Sequence, residues 1–467
     1  MERSRGNEDV ESRIAGLALS LVWLGALLQS LGGIAPAGWV AGAALAVYVV
    51  LQARHLPGMG RVVLGGALVA AALSLVFIES HAPALERAAR TACFFVAVLV
   101  SGGFLREAAE KSEMVREAGA ALIGQPPARR NAALSFGGFA MGFILGFGTL
   151  QLLGAMVKQA NTLENAGGEA RVQAVRERRS MLAVLRGFCM STVTNPISIV
   201  VALALTYAPG ADWQGVMPLV LAAALAGLTI GGLLDYWMGP RIATPPGTRT
   251  PSLRPVGGLV LFVLFVFACV FGVAQALELR IIQSVMLSVP LIAFAWMLLQ
   301  GRGRPDRLVR RLVTQAVTRY PAQRMEVVIL ASAGFAGTLI AAALPVEAIA
   351  ARFDALAIPG LLLPLLIFWF VVIGAQLALN PILTVTIAGA VLPAPLALGA
   401  PPEAVAAAYM MAWGIGTVAS PFTLSVLIIA GIAEKDSRQV AWRWNGVFSL
   451  AMMLTASAWL CFVAAIG

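Results

Sequence analysis

Apolar residues run in blocks of near-spanning length along the whole chain, separated by short polar stretches. Each block is long enough, or nearly so, for the ~20 residues that carry a helix across a ~30 Å hydrocarbon layer. The pattern predicts helices near 14–35, 38–53, 61–78, 89–105 and 132–157, followed by a broken segment over 181–207. Beyond it come 215–238, 256–277, 281–299, 326–344, a long apolar stretch over 359–398, then 403–432 and 444–466. The main polar connections, 106–131, 158–180, 239–255, 300–325 and 433–443, are each too short to be a soluble domain. The expected fold is all-α and polytopic, with about 11 transmembrane helices plus two broken or re-entrant helical hairpins in two internal repeats.

Composition strengthens the membrane assignment. Of the 467 residues, 59% are hydrophobic and 12% charged, against roughly a quarter charged in soluble domains. The first apolar block follows a mixed-sign start, MERSRGNEDVESR, with no small-residue cleavage pattern, and is read as a retained helix. The formal charge of +10 needs no nucleic acid as a partner, because the basic residues collect in short loops as the positive-inside tendency requires. Only three of the 33 basic residues are lysine, and alanine and glycine abound, which points to a GC-rich bacterial coding sequence and an inner-membrane location. Cys93, Cys189, Cys269 and Cys461 lie far apart in apolar segments and read as packed thiols, with no metal-ligand spacing.

An internal repeat is visible in the loops. PPARRNAALSFGGFAMGFILG, from Pro126, resembles YPAQRMEVVILASAGFAGTLI, from Tyr320, and each is followed by an Asn-Pro pair in an apolar run. The organisation expected is 1–60 as N-terminal helices, 61–255 as a first repeat with its broken segment at 181–207, and 256–467 as a second with its broken segment at 359–398.

The Asn-Pro pairs, Asn195 with Pro196 and Asn380 with Pro381, are the main candidate chemistry. Proline removes a backbone donor and clashes with the preceding turn, so each pair should break its helix and free carbonyls and amides. Such groups survive in a bilayer only inside protein or against a polar cavity, and paired broken helices mark transporter binding sites. Ser191, Thr192, Thr194 and Ser198 surround the first pair, and Gln376, Thr384 and Thr386 the second. The competing reading is a tolerated kink repaired by Ser and Thr hydroxyls. A further interruption is expected at Gly414, Gly416, Ser420 and Pro421, with a matching one at Gly227, Gly231 and Gly232.

These features resemble the ion transporter superfamily, which includes the divalent anion/sodium symporters and citrate carriers. The stretch SPFTLSVLIIAG followed by RQVAWRW is similar to the closing part of citrate-type carriers. The resemblance implies that Asn195 and Asn380 are hairpin-tip asparagines of a Ser-Asn-Thr motif that helps form sodium and carboxylate sites. It also implies inverted repeats and a homodimer. Here the tips read Thr194-Asn195-Pro196 and Leu379-Asn380-Pro381, so the Thr after each Asn is missing.

Ionisable residues near the spans are functional candidates. Arg186, nine positions before Asn195, would attract an anion or snorkel to the surface; Asp235 would be a proton or cation site or an interfacial acid. The expected function is secondary transport of a small organic anion, a carboxylate, coupled to Na⁺ or H⁺ by alternating access. Substrate or ion would be held by Ser191, Thr192, Thr194, Asn195, Pro196, Gln376, Asn380, Pro381, Thr384, Ser420 and Pro421, with no cofactor beyond the coupling ion. The alternatives are a cation/proton antiporter or a carrier of another small solute. An integral membrane enzyme or a channel is the reading from another class, but the chain has no zinc-binding H-E-x-x-H, no nucleophile elbow and no repeated charged lining.

Overall fold

A computed structural model describes residues 2–238, 251–345, 348, 351–352, 359–392 and 395–466. All regular structure among them is helical. Among the described residues, ten helices are long and apolar enough to cross a membrane, or eleven if the bent pair Ala170–Thr194 and Ile199–Tyr207 counts as one span. The polytopic all-α fold read from hydropathy is therefore correct. The connection expected at 239–255 falls mostly outside the described residues.

The chain divides into two compact units. The first comprises Met1–Ala108, Ala268–Asp354 and Val385–Pro393. Its helices are α1 (Glu2–Gly32), α2 (Ala35–Ala53), α3 (Gly58–Phe77), most of α4 (His81–Glu110), α12 (Ile281–Gln300), α13 (Pro305–Thr314) and α14 (Arg324–Ala343), numbered in chain order with those of the second unit. Trp23, Phe104 and Phe294 meet edge to face in it, with centroids 5.0 to 6.4 Å apart, and the buried Tyr48 hydroxyl donates to the Tyr320 carbonyl at 2.7 Å.

The second unit comprises Ala109–Phe267, Ala355–Thr384 and Ala394–Gly467. It holds α5 (Glu113–Ile123), α6 (Pro127–Leu145), α7 (Gly148–Ala160), α8 (Ala170–Thr194), α9 (Ile199–Tyr207), α10 (Trp213–Met238) and most of α11 (Arg254–Ala276). From the later sequence come α15 (Leu363–Gln376), the start of α16 (Pro381–Val391), α17 (Pro402–Ala419), α18 (Leu424–Ala433) and α19 (Gly446–Ile466). The block expected at 132–157 is thus two helices, parted at Gly146–Phe147, where Gly146 takes φ +54°. The stretch 359–398 is likewise parted before Asn380, where Ala378 takes φ +63°.

Element order also repeats along the chain. A parted pair, then a broken helix, then an unbroken one occurs as α6, α7, α8–α9, α10, and again as α15, α16, α17–α18, α19. The segment from Tyr320 instead leads into α14, an unbroken spanning helix of the first unit. The interruption expected at Gly227, Gly231 and Gly232 is also absent: α10 runs unbroken through all three. Gly227 and Gly231 face Met190 and Arg186 of α8, so these glycines make room for side chains and do not unwind the helix.

Small residues set the contact between α6 and α8. A Cβ on Gly138 would lie 2.7 Å from the Val184 carbonyl oxygen, and one on Gly187 would run into the Ser135 carbonyl oxygen. Gly142 faces Ser191 in the same way. The spacings Gly138-x-x-x-Gly142 and Gly187-x-x-x-Ser191 put both small pairs on facing ridges, the arrangement that lets helix backbones approach closely in lipid. This close packing holds the end of α8 against α6, next to the break at Asn195.

Candidate functional site

The two broken helices are built alike. α8 ends at Thr194 and α9 starts at Ile199, with a bend of 42° between them. Asn195 is buried in this break; its Oδ1 accepts the Ile197 N–H at 3.0 Å, and its Nδ2 donates to the Phe143 carbonyl, near the end of α6, at 3.2 Å. In the second half, α17 ends at Ala419 and α18 starts at Leu424. Ser420 Oγ accepts the Phe422 N–H at 3.2 Å and donates to the Ala375 carbonyl, near the end of α15, at 2.6 Å. Both residues precede a proline, accept from the amide two residues on, and tie the break to the first helix of the parted pair before it. The structural counterpart of Asn195 is therefore Ser420.

Asn380 has a different position. It closes the parting between α15 and α16, where its Oδ1 accepts the Ile382 N–H at 2.9 Å. Thr384, one turn into α16, donates back to the Pro381 carbonyl at 3.1 Å and packs its methyl group against Gly374. Of the two asparagines that the resemblance placed at hairpin tips, Asn195 lies at the 42° bend between α8 and α9, and Asn380 between the shorter helices α15 and α16. In the first half, Gly146 and Phe147 occupy the place that Asn380 fills in the second.

The prolines free carbonyls, and the two breaks treat them differently. Pro421 deprives the Thr417 carbonyl of its usual donor, and the Phe422 amide turns to Ser420 and away from Val418. Thr417 is repaired by the hydroxyl of Thr423 at 3.0 Å and by that of Ser425, and Val418 by Asn445 Nδ2 at 3.3 Å. At the first break, Pro196 and the turned Ile197 amide free the carbonyls of Thr192 and Val193, to which no described residue donates. The hydroxyls of Ser191, Thr192 and Thr194 are spent on carbonyls of α8 itself: Phe188 at 2.6 Å, Cys189 at 2.7 Å and Met190 at 3.3 Å. Gln376 Oε1 accepts from the Trp442 indole at 3.3 Å.

Arg186 lies two turns before the break on α8 and is buried. Its Nε donates to Asn445 Oδ1 at 2.7 Å, its Nη1 to the Gly231 carbonyl at 3.4 Å, and its guanidinium carbon lies 4.5 Å from the Phe448 ring centroid. No described carboxylate stands within ion-pair distance of it. Asp235 is engaged instead by Arg179, through a two-pronged pair at 2.7 and 2.6 Å. Asn445 therefore joins the buried cation to the repaired carbonyl of the second break, and also donates to Ser449 at 3.3 Å. Sequence reasoning missed Asn445; the available signal was a lone amide opening the last apolar block in WRWNGVFSLAMM.

Among the described residues no group of three or more His, Cys, Asp or Glu side chains is placed to hold a metal ion. The hydrogen-bonding capacity lies in backbone carbonyls, amide side chains and one guanidinium, which suits an anion or a hard monovalent cation.

No protein-family profile and no curated protein matches the chain. Solved structures do. The YdaH transporter of Alcanivorax borkumensis, described as having an unusual topology, aligns over 88% of this chain and 99% of its own at TM-score 0.59 and 14% identity. MtrF of Neisseria gonorrhoeae, described within a class of antimetabolite efflux pumps, aligns over 88% of this chain and 96% of its own at TM-score 0.61 and 13% identity. At these identities the likeness establishes the fold, and the chain has the fold that YdaH and MtrF share with it.

Proposed function

We propose that the chain is a secondary active transporter of a bacterial inner membrane that moves a small organic anion, a carboxylate, by alternating access. The observation that carries this reading is the buried Arg186, held by neutral acceptors on two sides, in the same unit as two matched broken helices. Burying a cation with no carboxylate at ion-pair distance is costly, and Arg186 Nη2, which has no described acceptor, offers a carboxylate the charge it needs. Interrupted helices supply the exposed backbone that a carrier uses around its central site. The shared fold with a transporter and an efflux pump supports transport over membrane-bound catalysis.

The coupling ion is Na⁺ in this reading. The carbonyls of Thr192 and Val193 are hard oxygen donors with no described partner, whereas the carboxylate nearest in role, Asp235, is occupied by Arg179. Export of an anionic antimetabolite is the second reading, favoured by the fold likeness to MtrF. The test is uptake and counterflow of labelled mono- and dicarboxylates in proteoliposomes, with imposed Na⁺ or H⁺ gradients, repeated with antimetabolites of acidic character. Saturable flux that follows the Na⁺ gradient is expected. Flux driven by pH alone would move the coupling to protons, and flux that never saturates would make the protein a channel.

A further inference from the structure

The connection between α12 and α14 holds a helix whose two faces the transport reading does not use. Both flanking helices are candidate spans, so the segment between Gln300 and Arg324 stays close to one membrane surface. Within it, α13 begins at Pro305 and continues through a wider turn over Gln315–Arg319. No residue of α13 is buried.

At 100° per residue, Leu308, Val309, Leu312 and Val313 form one continuous apolar arc, while Arg307, Arg310 and Thr314 occupy the opposite side. Leu308 and Leu312 are half-buried, but Val309 and Val313 are 58% and 56% exposed. The inward edge is anchored: Arg311 Nη1 donates to Gln300 Oε1 at 2.7 Å, and Gln300 Nε2 in turn donates to the Ala108 carbonyl at 2.9 Å. That leaves Arg302, Arg304, Arg307 and Arg310 exposed around the helix, with Asp306 as the acid among them.

An exposed apolar arc with arginines on the opposite face, held within a few residues of a bilayer surface, matches a helix lying in the interface plane. The valines enter the acyl boundary, and the arginines of the polar face and of the turn before it stand at headgroup depth, where anionic phosphates collect. We propose that α13 is an interfacial helix that binds the phosphodiester headgroups of anionic phospholipids through Arg302, Arg304, Arg307 and Arg310. Arg311 keeps it docked to its own unit, so the lipid reads a preformed surface.

The test uses the full chain in nanodiscs, with Cys269 and Cys461, the less buried thiols, replaced by alanine. Spin labels at Val309→Cys, Val313→Cys and Thr314→Cys report depth by collision with oxygen and with a water-soluble nickel complex. In discs containing phosphatidylglycerol, labels at 309 and 313 should favour oxygen, and the label at 314 nickel. Native mass spectrometry of the unlabelled protein should show bound phosphatidylglycerol preferred over phosphatidylcholine. Replacing the four arginines with glutamine should weaken that preference by roughly fivefold per arginine, with the unfolding temperature in uncharged detergent unchanged. Equal nickel access at all three positions would overturn the interfacial placement, as docking of α13 on a soluble protein partner would also give. An unchanged lipid preference in the four-fold variant would overturn the headgroup site, and a variant that loses its fold is replaced by single Arg304→Gln and Arg310→Gln changes read in the same way.

Discussion

Asn195→Ala isolates the joint at the first break. The side chain is 7% exposed and makes two hydrogen bonds that no other described residue replaces, one from the Ile197 amide and one to the Phe143 carbonyl. Truncation leaves both backbone groups buried without partners, at about 1–3 kcal/mol for each in general and nearer the lower figure in a membrane interior. The expected total is about 2–4 kcal/mol, a fall of several degrees in the unfolding temperature. Asn195→Ser is the decisive companion, because Ser420 already performs the same two tasks in the second half. We expect the serine variant to recover a substantial part of the stability and transport lost by the alanine variant. Asn195→Asp can accept the Ile197 amide but cannot donate to Phe143 when ionised, so it should transport no better than alanine. The assays are thermal unfolding in detergent and uptake in proteoliposomes at matched protein density. If serine and alanine behave alike, or if alanine transports like wild type, the equivalence of Asn195 and Ser420 is wrong.

Other variants probe the same unit. Arg186→Gln should raise the KM for an anionic substrate roughly tenfold or more, the worth of one charged hydrogen bond, while an uncharged solute would be unaffected; initial-rate uptake reads the difference. Gly187→Ala drives a methyl group into the Ser135 carbonyl and should cost about 1–3 kcal/mol by overpacking, measured as a lower unfolding temperature. Asp235→Asn should lower stability by about 1–2 kcal/mol through its pair with Arg179, yet leave the ion dependence of transport unchanged; a shifted pH profile would show that Asp235 carries the coupling proton.

Thr192 and Val193 gain a reading that sequence could only raise as a class of event. Pro196 announces that carbonyls one turn earlier lose their donors, because proline has no N–H wherever it stands. Which carbonyls stay open depends on neighbours distant in sequence. Thr423, Ser425 and Asn445 close the second break, whereas Ser191, Thr192 and Thr194 bond to their own helix at the first. The count of apolar blocks was legible because a spanning helix must satisfy its backbone internally over a length set by the bilayer. The parting before Asn380 was announced by Pro381, whereas that at Gly146–Phe147 was not legible, since both flanks are equally apolar and no proline marks it.

Hydropathy alone makes this an all-helical, multi-pass membrane protein, and its prolines interrupt the helices at 196, 381 and 421. Those properties follow from local composition and from covalent geometry. The match of Asn195 with Ser420, the pairing of Asp235 with Arg179 and the contact of Arg186 with Asn445, 259 residues away, emerge only when the helices pack. Pairings of that kind are set by which helix faces meet, and in lipid that is governed by small-residue contacts such as Gly138 with Val184, whose partners no one-dimensional pattern names.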